Sequence, residues 1–158
     1  MTQSQVQRPA FGTVFTDHMA MATFSGGQWR DGEIRPTAPI SLHPAAHVLH
    51  YASTCFEGFK AYLWNDGSIN VFRMDRHIER MRQSARGLRL PEPDPEPLAA
   101  MVRAVVDRCR NQVPEAPGAL YLRPLLFGTL ENLGAAAAPS REATLLVLAS
   151  PVWDSFAV

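Results

Sequence analysis

The sequence predicts an α+β fold, in which a mainly antiparallel sheet is combined with two helices. One observation is that β-forming segments come in pairs around short turns, as at 59–64 and 68–72 on either side of Asn65-Asp66-Gly67. A second is that two segments with helical spacing of apolar residues lie together in the middle of the chain. Hairpin-linked strands run antiparallel, and helices grouped apart from them form a second layer.

The first third of the chain is the least regular part. Residues 1–20 mix Gln, Thr, Gly and Pro without a period, which predicts a loose N-terminal arm. Asp31-Gly32, inside the segment 28–34, predicts a first hairpin. Several prolines then indicate a loop, and the segment 47–51 fits either a strand or a helical turn.

The two helices are predicted from capping and periodicity. Asp75 suits an N-cap, and apolar residues then recur at helical spacing to give a helix over 75–88. A proline-rich connector over 91–97 precedes the second helix. The apolar face of that helix is expected to be buried, with Cys109 as a core thiol; its members are Leu98, Met101, Val102, Val105, Val106 and Cys109.

Two apolar segments near the end of the chain predict the remaining strands. They span 119–127 and 143–149, and a Gly/Ala-rich loop over 128–141 joins them. The segment 143–149 has so little polar alternation that both of its faces are expected to be covered. Residues 21–150 are therefore expected to form one domain.

Composition narrows the classes of function. The chain has 158 residues with 15 basic and 15 acidic side chains, and this balance argues against a nucleic-acid partner and against a polybasic membrane anchor. No apolar run approaches the roughly 20 residues of a membrane helix. The start shows no secretory signal, and the two cysteines have no metal-binding spacing, so a cytoplasmic location is expected.

A metal site is not predicted, although three histidines lie close in sequence. His43, His47 and His50 have the spacing i, i+4 and i+7, but Pro44 interrupts any helix that would align them. Lys60 is the one lysine among the 15 basic residues, so chemistry that needs a lysine amine must use it or come from elsewhere. Glu57 is interpreted as a structural hydrogen-bond acceptor.

Arginines are the best candidates for ligand binding. Arg73, Arg76 and Arg80 surround the start of the helix over 75–88, where they form either a phosphate site or a solvated basic face. Arg123 lies inside an apolar strand and must be paired or face a site. Tyr121 shares its face, so the two residues form either a carboxylate site or part of a structural ion pair.

Four ordered motifs give the sequence a specific resemblance. They are Tyr51 with Phe56-Glu-Gly-Phe-Lys-Ala-Tyr62, Phe72-Arg-Met-Asp-Arg-His-Ile-Glu-Arg-Met81 with Ser84-Ala85, Leu120-Tyr-Leu-Arg-Pro124, and Phe127-Gly-Thr-Leu-Glu-Asn-Leu-Gly134. Together they resemble the branched-chain aminotransferases, which are fold-type IV enzymes that use pyridoxal 5'-phosphate (PLP). The resemblance extends from about residue 29 to 156.

The resemblance implies roles for particular residues in the small N-terminal domain of that family. Arg80 would bind the PLP phosphate, and Tyr51, Phe56 and Tyr121 would line the pocket for an apolar side chain. Arg123 would act as an ion-pair former or as a contact for the acidic side chain of glutamate. The loop Leu133-Gly134-Ala135 would reach the pocket of a partner subunit, which implies a homo-oligomer. Ser155 stands where the family commonly has a tyrosine.

The resemblance also places the catalytic lysine outside these residues. In the family, the lysine that binds PLP belongs to a large second domain, and Lys60 does not match its position. Residues 151–158 would begin the linker to that domain, and the chain alone is expected to be inactive and to retain PLP poorly. Two alternatives stay open: a non-catalytic domain that associates with a separate C-terminal half or a full-length relative, and half of a D-amino acid aminotransferase or aminodeoxychorismate lyase.

Overall fold

The structure, a computed structural model, describes residues 8–134 and 138–153. Within these residues, one antiparallel sheet and three α-helices confirm the α+β class. The strands are β1 (His18–Ser25), β2 (Gln28–Trp29), β3 (Glu33–Pro36), β4 (Thr54–Phe56), β5 (Phe59–Leu63), β6 (Ile69–Val71), β7 (Ala119–Gly128) and β8 (Ala143–Val152). The helices are α1 (His47–Tyr51), α2 (Met74–Gly87) and α3 (Pro95–Arg108), with a 3-10 turn at Arg110–Gln112. The predicted two helices correspond to α2 and α3, and α1 is the helical alternative for the segment 47–51.

The two longest strands form the centre of the sheet. The strand order is β2-β1-β8-β7-β5-β6, with β3 also paired to β1 and β4 also paired to β7. β7 and β8 pair along their whole length, from Ala119 opposite Val152 to Gly128 opposite Ala143. Nearly every residue of β8 is buried, which confirms that both of its faces are covered.

β4 and β5 follow one line along β7. Phe56 lies opposite Leu125 and Phe59 lies opposite Leu122, so residues 57 and 58 between them keep the same register. In the part of the chain that the structure describes, β4 pairs with no strand other than β7. Residues 54–58 therefore lie at an open edge of the sheet.

Helices α2 and α3 cover one face of this sheet. The predicted apolar face of α3 is buried, including Cys109 at its C-terminal end. It packs with Ile78, Met81 and Ala85 of α2 and with small and branched residues of the sheet such as Ala61 and Leu122. A smaller cluster on the opposite face contains Met19, Phe127 and Leu146, with Leu42 and Val48 packed against it.

Two local predictions are wrong. The hairpin predicted around Asp31-Gly32 does not form, because β2 and β3 both pair with β1 and the tight turn is at Gly26-Gly27. Helix α2 begins at Met74 with Arg73 as its N-cap residue, whereas Asp75 lies in its first turn.

Both ends of the sheet extend past the expected boundaries of the domain. β1 begins at His18, so the last three residues of the predicted arm over 1–20 belong to the sheet. Thr16, just before β1, is already buried, and its amide donates a hydrogen bond to the carbonyl of Ala149. β8 continues to Val152, two residues into the segment expected to begin a linker.

Candidate functional site

The tripeptide Phe56-Glu57-Gly58 lies at the open edge between β4 and β5. Side chains of a strand alternate between the two faces of the sheet, and residues 56–58 follow that rule. Phe56 and Gly58 face away from the helices, where they meet Arg123 and Tyr121 of β7. Glu57 points to the helical side and meets α2. This tripeptide therefore connects two groups of predicted site residues on opposite faces.

On the helical side, Glu57 holds Arg80 through two hydrogen bonds. Arg80 Nε donates to Glu57 Oε1 over 2.9 Å, and Arg80 Nη2 donates to Oε2 over 2.7 Å. The Glu57 side chain is only 5% exposed, whereas the Arg80 side chain is 65% exposed. A guanidinium has five N–H donors, so three remain for a ligand at the surface.

His77 holds the same carboxylate from a second direction. Its Nδ1 donates to Glu57 Oε2 over 3.0 Å, and its ring stacks on Phe59 with 4.8 Å between ring centroids. Burial by itself would raise the pKa of Glu57, but the hydrogen bonds from Arg80 and His77 and their positive charge lower that pKa overall. Glu57 is therefore an ionised hydrogen-bond acceptor at neutral pH.

The two other arginines near the start of α2 differ from Arg80. Arg76 lies 3.8 Å from Asp75, and both side chains are 80% exposed. Arg73 has a positive φ of 48° and lies over the exposed ring of Phe72. Neither arginine has a buried carboxylate partner in the described residues. Arg73 and Arg76 therefore fit the solvated basic face, whereas Arg80 is held in place by Glu57.

On the other face, Tyr121, Arg123 and Phe56 form one cluster. Arg123 Nη2 donates to the hydroxyl of Tyr121 over 2.8 Å, and the Arg123 guanidinium lies 4.1 Å from the centroid of the Phe56 ring. The predicted common face of Tyr121 and Arg123 is confirmed. Gly58 permits the arrangement, because a Cβ there would be 2.0 Å from the Tyr121 hydroxyl.

Arg123 has a donor without a partner. Its Nε is buried and meets no acceptor among the described residues, and no carboxylate of those residues pairs with its guanidinium. The structural ion pair considered from the sequence is therefore absent from the described part of the chain. A buried N–H without an acceptor is costly, and the guanidinium of Arg123 also carries a positive charge that no carboxylate of the described residues balances.

Residues 11–15, which the sequence predicts as part of a loose arm, lie beside this cluster. The ring of Phe11 meets Tyr121 edge-on, with 4.9 Å between centroids. A cavity of about 260 Å³ lies beside them. Its lining consists of Phe11, Gly12, Phe15, Tyr121, Arg123, Leu148, Ala149 and Ser150. The two aromatic residues Phe11 and Phe15, within the segment predicted as a loose arm, are the feature of the sequence that could have indicated this packing.

Tyr51 and the predicted partner loop are connected directly. The hydroxyl of Tyr51 donates to the carbonyl of Leu133 over 2.6 Å, and Leu133 and Gly134 are exposed. Ala135 and Ser155, the other two residues singled out from the resemblance, lie outside the described residues.

The three clustered histidines have other partners. His47 is buried with Ser53 at 2.8 Å, whereas His50 bonds the carbonyl of Pro44 and His43 accepts from the amide of Ala45. Among the residues that the structure describes, no three histidine, cysteine, aspartate or glutamate side chains are grouped to hold a metal ion.

The Glu57 interaction predicts a pH dependence of stability. Because the folded pKa of Glu57 is lowered, its contribution is complete above the unfolded value of about 4.3 and is lost as pH falls through the folded pKa. Replacing Glu57 by Gln should lower the free energy of unfolding by about 1.5 kcal/mol at pH 7. This value is at the lower end of the range for hydrogen bonds between charged groups, because Arg80 is exposed to solvent. Urea unfolding should show this difference shrinking at pH 3; an equal difference at both pH values would contradict the prediction.

Comparison with protein families identifies the chain. Residues 54–154, more than half of it, match the amino-transferase class IV family. The chain belongs to this family. The matched region contains the open-edge tripeptide, Arg80 and the Tyr121–Arg123 pair. No helix in the described residues of this class IV aminotransferase chain is long and apolar enough to cross a membrane.

Curated relatives and solved structures make the similarity more specific. The chain is 41% identical to a branched-chain-amino-acid aminotransferase of Mycobacterium tuberculosis over 98% of its own length. It is 42% identical to the cytosolic enzyme of that name from Saccharomyces cerevisiae over 90%. The T.th. branched-chain amino acid aminotransferase with pyridoxamine 5'-phosphate superposes with a TM-score of 0.70, at 26% identity over 92% of this chain. The resemblance stated from the motifs is thereby confirmed.

The similarity covers only part of each relative. The chain spans 42% of the M. tuberculosis protein, 38% of the yeast protein and 43% of the T.th. chain. The described residues therefore correspond to less than half of the length of each of these relatives.

Proposed function

We propose that the chain contributes one part of the active site of a PLP-dependent aminotransferase that transfers the amino group of leucine, isoleucine or valine to 2-oxoglutarate. The observation that carries this proposal is the exposed guanidinium of Arg80, fixed by buried Glu57, in a chain of the class IV aminotransferase family. The names of the relatives support the substrate class. The pyridoxamine 5'-phosphate in the T.th. structure supports the cofactor.

The residues present fit a phosphorylated cofactor. Arg80 keeps three N–H donors beyond the two that bind Glu57, and these suit the oxygens of a phosphate. When bound, PLP supplies the electron sink that makes the Cα proton of an amino acid acidic. The chain's own contribution is to hold the phosphate end at the open sheet edge.

The opposite face of the same edge suits the substrate side chain. Phe56, Tyr121 and the segment around Phe11 offer apolar surface to a branched aliphatic group. Arg123 adds a guanidinium that no carboxylate of the described residues pairs with, and its positive charge suits the side-chain carboxylate of glutamate. A pocket with both apolar surface and a positive charge would accept a branched aliphatic side chain in one half of the reaction and the side chain of glutamate in the other half.

Oligomer formation is part of the proposal. The exposed loop that contains Leu133 and Gly134 would reach the pocket of a second subunit, and Tyr51 would hold it through the hydrogen bond to the Leu133 carbonyl. We also propose a cytoplasmic location, in line with the cytosolic relative from yeast.

Lysine labelling tests the origin of the catalytic amine. Lys60, the one lysine of the sequence, lies on β5 opposite Tyr121. The resemblance to the family implies that the catalytic lysine lies outside these residues. Borohydride reduction of the complete protein with PLP, followed by peptide mapping, should give a pyridoxyl-lysine outside residues 1–158. A stoichiometric pyridoxyl group on Lys60 in active protein would contradict the proposal.

Substrate assays test the activity itself. The complete protein that contains these residues should transfer amino groups from leucine to 2-oxoglutarate. Activity with D-alanine, or release of pyruvate from aminodeoxychorismate, at the expense of leucine would instead support the other two fold-type IV activities. Absence of all three activities in PLP-loaded protein would favour the non-catalytic alternative.

A further inference from the structure

We infer that Glu57 is a positioning residue for the cofactor phosphate: it orients Arg80 so that the free edge of the guanidinium faces the phosphate. This inference rests on the proposed function, because it needs Arg80 to bind that phosphate. Glu57 does not contact the cofactor in this scheme and acts only through Arg80.

The geometry of the pair supports an orienting role. The two bonds from Arg80 use Nε and Nη2, which are the donors on one side of the planar guanidinium. The donors that remain lie on Nη1 and on the outer position of Nη2, and they form a second fork suited to two phosphate oxygens. Because the Arg80 side chain is largely exposed, it would sample many rotamers without this carboxylate.

The carboxylate is itself held firmly enough to orient an arginine. His77 donates to Glu57 Oε2, and the His77 ring is fixed by stacking on buried Phe59. The amide of Glu57 also donates to the carbonyl of Pro124 on β7 over 3.0 Å, which fixes the backbone. A carboxylate orients the side chain that it binds when packing and hydrogen bonds fix the position of the carboxylate itself.

The charge of Glu57 is placed where it disturbs a phosphate least. The Glu57 side chain is buried and binds one side of the guanidinium through Nε and Nη2, whereas the Arg80 side chain as a whole is largely exposed. An anion bound by the remaining donors is separated from the carboxylate by the width of the guanidinium. The negative charge of Glu57 therefore weakens the attraction of Arg80 for a phosphate somewhat. In return, Glu57 fixes the direction in which Arg80 donates hydrogen bonds to that phosphate.

A double-mutant cycle on the complete protein tests the inference. The dissociation constant of PLP is measured by equilibrium dialysis for the wild type, Glu57→Gln, Arg80→Ala and the double variant. Glu57→Gln should weaken PLP binding by about fivefold to thirtyfold in the wild-type background. In the Arg80→Ala background the same substitution should change binding by less than about twofold, because its only route to the phosphate is gone.

Two controls separate positioning from structural damage. Pyridoxal, which lacks the phosphate, should bind equally well to the wild type and to Glu57→Gln. Glu79→Gln makes the same Glu-to-Gln change at a half-exposed carboxylate of α2, which pairs with Arg82 and Arg86 and not with Arg80, and it should leave PLP binding unchanged. If Glu57→Gln fails to fold, Glu57→Asp, which keeps the charge but shortens the reach to Arg80, replaces it in the cycle.

The outcomes distinguish this inference from the proposed function. Weaker PLP binding in Arg80→Ala with no change in Glu57→Gln would overturn the positioning role and leave the phosphate site intact. Equal losses from Glu57→Gln in both backgrounds, or equal losses for pyridoxal and PLP, would make Glu57 a purely structural residue. No effect of Arg80→Ala would overturn the phosphate site and this inference with it.

Discussion

Replacing Arg80 by alanine in the complete protein should weaken PLP binding by about tenfold to a hundredfold. The physical reason is the loss of the charge-assisted interaction of this exposed guanidinium with the phosphate, which we take as about 1.5–3 kcal/mol in total. Arg80→Lys should recover only part of this loss, because an ammonium group keeps the charge but cannot bind a carboxylate and a phosphate with two planar forks. The measurement is the dissociation constant of PLP by equilibrium dialysis.

Arg76 provides the matched control on the same helix. Its side chain is exposed, and the ion-pair partner that it has among the described residues is the equally exposed Asp75, so Arg76→Ala should change PLP binding by less than about twofold. Arg80→Ala also leaves Glu57 buried with His77 alone, so thermal unfolding of the apo forms is needed to separate lost folding from lost binding. Equal PLP dissociation constants for the Arg76 and Arg80 variants in folded protein would remove the phosphate role from Arg80.

The parts of the fold that the sequence predicts well are those fixed by local chemistry. The hairpin of β5 and β6 forms as predicted, with Ala61 opposite Val71 and Leu63 opposite Ile69 around the Asn65-Asp66-Gly67 turn. The face of α3 is buried as its periodicity indicates. In both cases one short segment contains the turn or the apolar pattern that determines its structure.

The failed hairpin has a physical cause that one glycine illustrates. The Asp31-Gly32 pattern predicts a turn, but a Cβ on Gly32 would be 2.5 Å from Met101 Cγ, so this glycine instead permits close packing against α3. The real turn, Gly26-Gly27, has φ values of 61° and 82°, as a two-residue hairpin requires. The pairing of β1 with β8 joins residues far apart in sequence, such as Ala20 and Val147, and no local pattern announces it.

The candidate site divides in the same way. Tyr121 and Arg123 are two residues apart on one strand, so the alternation of side chains predicts their contact. The partnership of Glu57 with Arg80 joins the sheet edge to a helix, and the sequence offered Glu57 only as an acceptor without a visible partner. The role of Gly58 depends on the position of the Tyr121 ring, which only the three-dimensional structure shows.

Replacing Gly58 by alanine should damage the substrate pocket without unfolding the domain. The new methyl group would be 2.0 Å from the Tyr121 hydroxyl and 2.8 Å from Cζ, so the ring must move. That movement breaks the hydrogen bond from Arg123 and disturbs the contact with Phe11. Overpacking of this kind lowers the free energy of unfolding by about 1–3 kcal/mol. The displaced ring should also raise the KM for leucine by about fivefold to tenfold, which corresponds to the loss of one contact worth about 1–1.5 kcal/mol to the substrate side chain.

The affinity for PLP provides the sharpest check on this last prediction. Gly58 faces Tyr121 on one side of the sheet edge, whereas Arg80 binds Glu57 on the other side. Gly58→Ala should therefore raise the KM for leucine and leave the dissociation constant of PLP within about twofold. Gly87→Ala, at the end of α2 with no atom near the added methyl group, should change neither quantity. An unchanged KM in Gly58→Ala would show that the Tyr121–Arg123 cluster does not contact the substrate, and a parallel loss of PLP would show that the two faces of the edge are not independent.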